Sequence, residues 1–80
     1  MKLSIVIPVY NEEATLAELV GRVLAQPYDM EIILVDDGSR DRSREIMAEL
    51  EAAHPEIRCL YHAANKGKGG ALSTGFANVT

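Results

Sequence analysis

Ile32-Ile33-Leu34-Val35-Asp36-Asp37-Gly38-Ser39 decides how this chain is read. Four apolar residues run straight into two carboxylates and then a turn. A continuous apolar run of this length reads as a strand buried on both faces of a parallel sheet. Open α/β sheets bind their ligands at the carboxyl ends of the strands. The run therefore delivers paired acids to a ligand crevice. Ile7-Pro8-Val9-Tyr10-Asn11-Glu12 ends an earlier apolar run in the same way.

Outward from these runs, the chain alternates strand and helix. Residues 3–9 read as a first strand. Asn11 is predicted as a helix N-cap, with Glu12 and Glu13 at the positive end of the helix. Leu16, Leu19, Val20, Val23 and Leu24 then form one apolar stripe. Gln26-Pro27-Tyr28-Asp29 breaks it. Residues 31–35 make the second strand, Gly38 the turn, and Ser39 or Asp41 the cap of a second helix. That helix carries Ile46, Met47, Leu50 and Ala53, and stops at His54-Pro55, because a residue before proline is pushed out of the helical region. Residues 57–61 are a third strand. Asn65-Lys66-Gly67-Lys68-Gly69-Gly70 is a basic glycine-rich loop, and Ala71, Leu72, Gly75 and Phe76 begin a third helical stripe. The order β-α-β-α-β-α is half of a doubly wound parallel sheet, with right-handed crossovers. The strand order 3-2-1 leaves one side of the first strand uncovered, a liability for a buried-type strand. The expectation is an N-terminal part of a longer protein.

Composition narrows the function classes. The chain has 80 residues, and a domain of this size buries only about 60% of its unfolded surface. Hydrophobic residues at 48% support a packed core over disorder. A net charge of -4 argues against a general nucleic-acid binder. The single Cys59 excludes an intramolecular disulfide framework and points to a buried, inert thiol in a reducing compartment. Met1-Lys2-Leu3 reads as a true start with no signal-peptide core behind it, and no apolar stretch approaches the roughly 20 residues that span a bilayer.

The strand ends carry the candidate chemistry. Successive side chains point to opposite faces, so Asp36 and Asp37 have different jobs. One can accept hydrogen bonds from a ribose hydroxyl or base N–H, the other from turn N–H groups. Taken alone, the pair is read more readily as a turn than as a site, since Asp-Gly is a common turn pair. Pro8 fixes the end of the first strand, Tyr10 offers a flat face to a base, and Glu12 can accept from a sugar hydroxyl. Equally, these residues describe a strand terminus and an acidic helix start. The 65–70 loop puts two cations and three glycines before a helix N-terminus, a setting that favours a diphosphate. It is neither a P-loop nor a dinucleotide fingerprint, since Gly69 follows Lys68 and Leu72 stands where a third glycine would. A flexible solvated loop is the competing reading. His54 and His62 show no metal-ligand spacing with Cys59 or the acids. Arg40, Arg42 and Arg44 alternate with Asp41, Ser43 and Glu45 and read as a solvated helix face. Asn78-Val79-Thr80 is a chance glycosylation match.

Three blocks in order, Ile7-Pro8-Val9-Tyr10-Asn11-Glu12-Glu13, Val35-Asp36-Asp37-Gly38-Ser39-Arg40-Asp41 and Asn65-Lys66-Gly67-Lys68-Gly69-Gly70-Ala71, carry a family resemblance. The chain resembles the N-terminal portion of family 2 glycosyltransferases with the GT-A fold, most closely the polyprenyl- or dolichyl-phosphate sugar synthases. The resemblance covers essentially the whole chain and lifts the ligand readings above the turn readings. It implies a UDP- or GDP-sugar donor, a hexose transferred with inversion, and a polyprenyl phosphate acceptor. By resemblance, Pro8, Tyr10 and Glu12 line the base and ribose pocket. Asp37 holds the base or ribose with Asp36 beside it, and Lys66 and Gly67 lie near the donor phosphates. The family's Asp-x-Asp motif holds Mg²⁺ or Mn²⁺, which offsets charge on the departing diphosphate. This sequence contains no Asp-x-Asp, and its near-match, Asp29 to Glu31, falls before the second strand. No catalytic base or metal ligand is assigned in this chain, and the 80-mer is expected to be inactive alone. The implied location is cytoplasmic, at the cytoplasmic membrane face in the full-length protein.

A receiver-like signalling module is the alternative from another class, since it too uses acids at strand ends. Receivers place the acidic pair after the first strand and a phosphate-accepting Asp after the third. Here those positions read Tyr10-Asn11 and Tyr61-His62. A sugar-nucleotide pyrophosphorylase would carry a glycine-rich, arginine-containing loop after the first strand, where this chain has Pro8-Val9-Tyr10-Asn11. A purely structural or interaction module is the third reading.

Overall fold

A computed structural model describes residues 2–62. Strand β1 (Leu3–Val9), helix α1 (Leu16–Leu24), strand β2 (Met30–Asp36), helix α2 (Ser43–Ala53) and strand β3 (Ile57–Tyr61) follow one another. The expected loop at 65–70 and the third helical stripe lie outside the described residues. The three strands form one parallel sheet in the order β1-β2-β3, with β2 central.

Strand β2 is buried along its whole length: the apolar run at residues 32–35 requires this of its middle, and Glu31 and Asp36 are buried with it. Its side chains divide by alternation. Met30, Ile32 and Leu34 enter one core with Val9, Leu16, Val20, Met47 and Ile57. Ile33 and Val35 form a second cluster on the other face, with Val6 and Leu60 against it. Both helices therefore pack on the first face. Each fully buried aliphatic side chain contributes about 1.5–3 kcal/mol.

Two expectations about α1 need correction. The helix starts at Leu16, well beyond Asn11. Asn11 adopts a left-handed backbone (φ 50), which asparagine tolerates better than most residues. Its side-chain oxygen accepts from the N–H of Arg40, 2.9 Å away, rather than from a helical N–H. The intervening residues make a turn, in which the N–H groups of Thr15 and Leu16 both donate to the Glu12 carbonyl. The stripe is also narrower than expected. Leu16 and Val20 are buried, Val23 and Leu24 pack against the core, and Leu19 faces out at 45% exposure.

Helix α2 buries Met47 and Ser43 and packs Ile46 and Leu50 against the core, while Ala53 is exposed. Neither Ser39 nor Asp41 takes the expected cap position, which falls on Arg42; Asp41, one residue earlier, accepts from the Ser43 N–H at 2.9 Å. At the other end His54 is extended (φ -133, ψ 111), as its position before Pro55 dictates.

Candidate nucleotide site

The register makes all three strands end in step. Val9 pairs with Asp36, and Asp36 with Tyr61. The ladder runs one residue further: Asp37 N–H donates to the Val9 carbonyl (2.9 Å) and His62 N–H to the Asp36 carbonyl (2.8 Å). Tyr10, Asp37 and His62 are thus the first residues beyond three adjacent strands, at the carboxyl edge where such sheets bind ligands.

The two acids go to opposite corners. Asp36 is fully buried on the helix side. Its carboxylate accepts from the N–H groups of Gly38 and Ser39 and from Arg44 Nε at 2.6 Å. Gly38 has φ 82, a conformation that costs glycine little and lets the turn fold back over the carboxylate. Arg44 Nη2 also donates to the His62 carbonyl, and its guanidinium lies 5.5 Å from the Tyr61 ring centroid. One side chain from α2 thereby ties the ends of β2 and β3 together. This corrects the reading of the three arginines as one solvated face. Arg42 fits it, paired with exposed Glu45, and Arg40 is exposed. Arg44 leaves it, because the turn brings Asp36 under the start of α2.

Asp37, 4% exposed, takes the other corner, where its Oδ1 lies 3.1 Å from His62 Nδ1. Neither partner could be read from the sequence. Arg44 is eight residues from Asp36 and His62 twenty-five from Asp37, and only the turn and the strand register bring them together.

A second set of contacts locks the first β-α loop to the second. Asn11 N–H donates to Ser39 Oγ, Glu12 N–H to Ser43 Oγ and Glu13 N–H to Asp41 Oδ2, at 2.9, 2.8 and 3.1 Å. The Asn11–Arg40 bond runs the other way. The polar residues of Asp36-Asp37-Gly38-Ser39-Arg40-Asp41-Arg42-Ser43 thus shape the loop that presents Tyr10 and Glu12. Burial pushes the Asp41 carboxyl up, but hydrogen bonds from the Ser43 hydroxyl and backbone, from Glu13 and from its own backbone outweigh this. They hold it below the ordinary 3.8.

Among the other expected site residues, Pro8 is half-buried in β1 opposite Val35. Tyr10 is 45% exposed, and Glu12 is exposed with its Oε2 accepting from the Thr15 hydroxyl. Lys66 and Gly67 lie outside the described residues. Asp29 and Glu31 stand at the opposite, amino end of β2, where Glu31 accepts from Ser4 Oγ. Among the described residues, no three His, Cys, Asp or Glu side chains gather as a metal site. Cys59 is half-buried in β3; burial, then the nearby Glu51 charge, push its thiol up to about 11, which keeps it protonated and unreactive. Burial, with Cys59, Glu51 and Asp36 nearby, likewise raises Tyr61 to about 12.

Residues 4–80 match the family model described as glycosyl transferase family 2. The chain belongs to that family. Among curated relatives of this family 2 segment, it is 42% identical over 81 residues to an uncharacterized glycosyltransferase of Nostoc sp. The match covers 100% of this chain and 25% of that protein. It is 46% identical over 83 residues to the undecaprenyl-phosphate 4-deoxy-4-formamido-L-arabinose transferase of Shewanella sediminis, covering 96% of this chain and 25% of that one. The chain thus spans about a quarter of the length of these relatives. The solved mannosyltransferase PcManGT of Pyrobaculum calidifontis, in complex with GDP-Man and Mn²⁺, superposes with a TM-score of 0.89 at 24% identity. That superposition covers 98% of this chain and 24% of that one. The family 2 segment is therefore part of a GT-A fold. Among the described residues no helix is long and apolar enough to cross a membrane.

Proposed function

We propose that this segment holds the nucleotide of a UDP- or GDP-sugar donor in an inverting glycosyltransferase that passes a hexose to a polyprenyl phosphate. The observation that carries the reading is the common end of the three strands, which sets Tyr10 and the buried Asp37 side by side at the carboxyl edge of a family 2 sheet. Asp37 accepts from base or ribose, and Tyr10 supplies a flat apolar face with a polar rim. Pro8 and Glu12 complete the base and ribose side. Asp36 stands beside Asp37 and holds the turn. Lys66 and Gly67 meet the donor phosphates.

The GDP-Man complex of the Pyrobaculum enzyme supports a nucleotide-sugar donor, and the Shewanella relative's name supports an undecaprenyl-type acceptor. Mg²⁺ or Mn²⁺ and the catalytic base belong to residues beyond these 80, so the segment alone transfers no sugar. An acceptor of this kind would be met at a membrane surface, and we take the cytoplasmic face as the site of the full-length protein. Titration of UDP, GDP and NAD against the full-length protein and its Asp37→Asn variant tests the reading. UDP or GDP binds, NAD does not, and D37N binds at least about tenfold more weakly, the equivalent of about 1.4 kcal/mol. Equal affinity in both proteins would remove Asp37 from the site.

A further inference from the structure

The geometry points to His62 as a positioning residue of the nucleotide pocket, one that fixes the plane of the Asp37 carboxylate; this rests on the proposed role of Asp37. The outer torsion of an aspartate side chain is broad, so its own rotamer preference does not fix that plane. Asp37 also lies just past β2 and just before Gly38, where the chain turns. A carboxylate accepts best near its own plane, so a rotating one presents a poorly aimed acceptor to a base or ribose.

The His62 ring restricts that freedom. Its Nδ1 lies 3.1 Å from Asp37 Oδ1, and both side chains are buried. An ionised Asp37 only accepts, so the bond makes Nδ1 the protonated ring nitrogen. The backbone that carries the imidazole is held on both sides: the His62 N–H donates to the Asp36 carbonyl and the His62 carbonyl accepts from Arg44 Nη2. The sheet ladder already holds the two backbones at this level. What the side-chain bond adds is the direction of the carboxylate, at the edge of the sheet where the ligand sits. Preorganisation of this kind lowers the ordering cost of binding.

The test is a double-mutant cycle in the full-length protein, with UDP and GDP affinity read by calorimetry and folding followed by thermal melting. His62→Leu, which lacks the donor, weakens binding about tenfold, as expected for a lost hydrogen bond to a charged group. His62→Asn, whose amide N–H can take the place of Nδ1, stays within about threefold of the parent. In the Asp37→Asn background, His62→Leu adds no more than about twofold, because the group it positions is gone. His62→Ala is run alongside, so the cycle does not depend on one variant folding. Three results overturn the proposal: H62L and H62A binding like the parent while D37N is weak, H62N as weak as H62L, or the same tenfold loss with and without Asp37. Full affinity in D37N is a separate result, which removes the reading of Asp37 on which the proposal rests.

Discussion

Asp36 and Asp37 are neighbours in sequence, yet their side chains turn to opposite faces of the sheet. On the helix side, Asp36 spends its carboxylate on two turn N–H groups and the Arg44 guanidinium. On the opposite side, Asp37 meets an imidazole from the end of β3. One corner ties elements together, while the other aims a side chain at the sheet edge. Alternation along an extended chain is enough to send two adjacent acids to opposite faces, one into a structural hub and the other to the proposed nucleotide corner.

The largest expected effect tests the structural corner. Asp36→Ala removes a buried, charge-assisted hub and costs about 3 kcal/mol of stability by urea denaturation of the full-length protein. A loss below about 1 kcal/mol would erase the contrast between the corners. Asp37→Asn is expected to reverse the profile, with nucleotide affinity down at least about tenfold and stability changed by less than about 1 kcal/mol.

Arg44→Lys sharpens the comparison further. Lysine keeps the charge but cannot reach Asp36 and the His62 carbonyl with one rigid fork. Because Arg44 is 41% exposed, water screens part of the loss, and about 1 kcal/mol is expected in the same denaturation experiment. The smallest effect belongs to the interlocked loops. The folded Asp41 carboxyl titrates below its ordinary value, so its contribution is present above about pH 4 and is lost as pH falls through the lower, folded value. Asp41→Asn should flatten this part of the acid limb of a stability–pH profile.

The two corners also differ in how far they could be read from sequence. The unbroken run of β2 announced a buried central strand, and Asp-Asp-Gly announced a turn with acids at its start. Arg44 stayed hidden because its charged neighbours Asp41, Arg42 and Glu45 give it the look of a solvent-facing residue. His62 stayed hidden because its partner is set by strand register, which no local pattern encodes. Asn11 misled for a physical reason, since the side chain that caps helices also suits a left-handed backbone. The glycine-rich loop with Lys66 and Gly67 lies outside the described residues, so its part in the site rests on the sequence alone.

The contacts between the first two β-α loops carry a consequence for how the protein is made. Tyr10 and Glu12 leave the ribosome early, yet the groups that shape their loop sit 28 to 31 residues later in the chain. At roughly 5–20 residues per second, synthesis leaves this loop without its frame for seconds. The carboxyl edge of the sheet is therefore a late product of folding, assembled only when β2 and the start of α2 have arrived to brace a loop made long before.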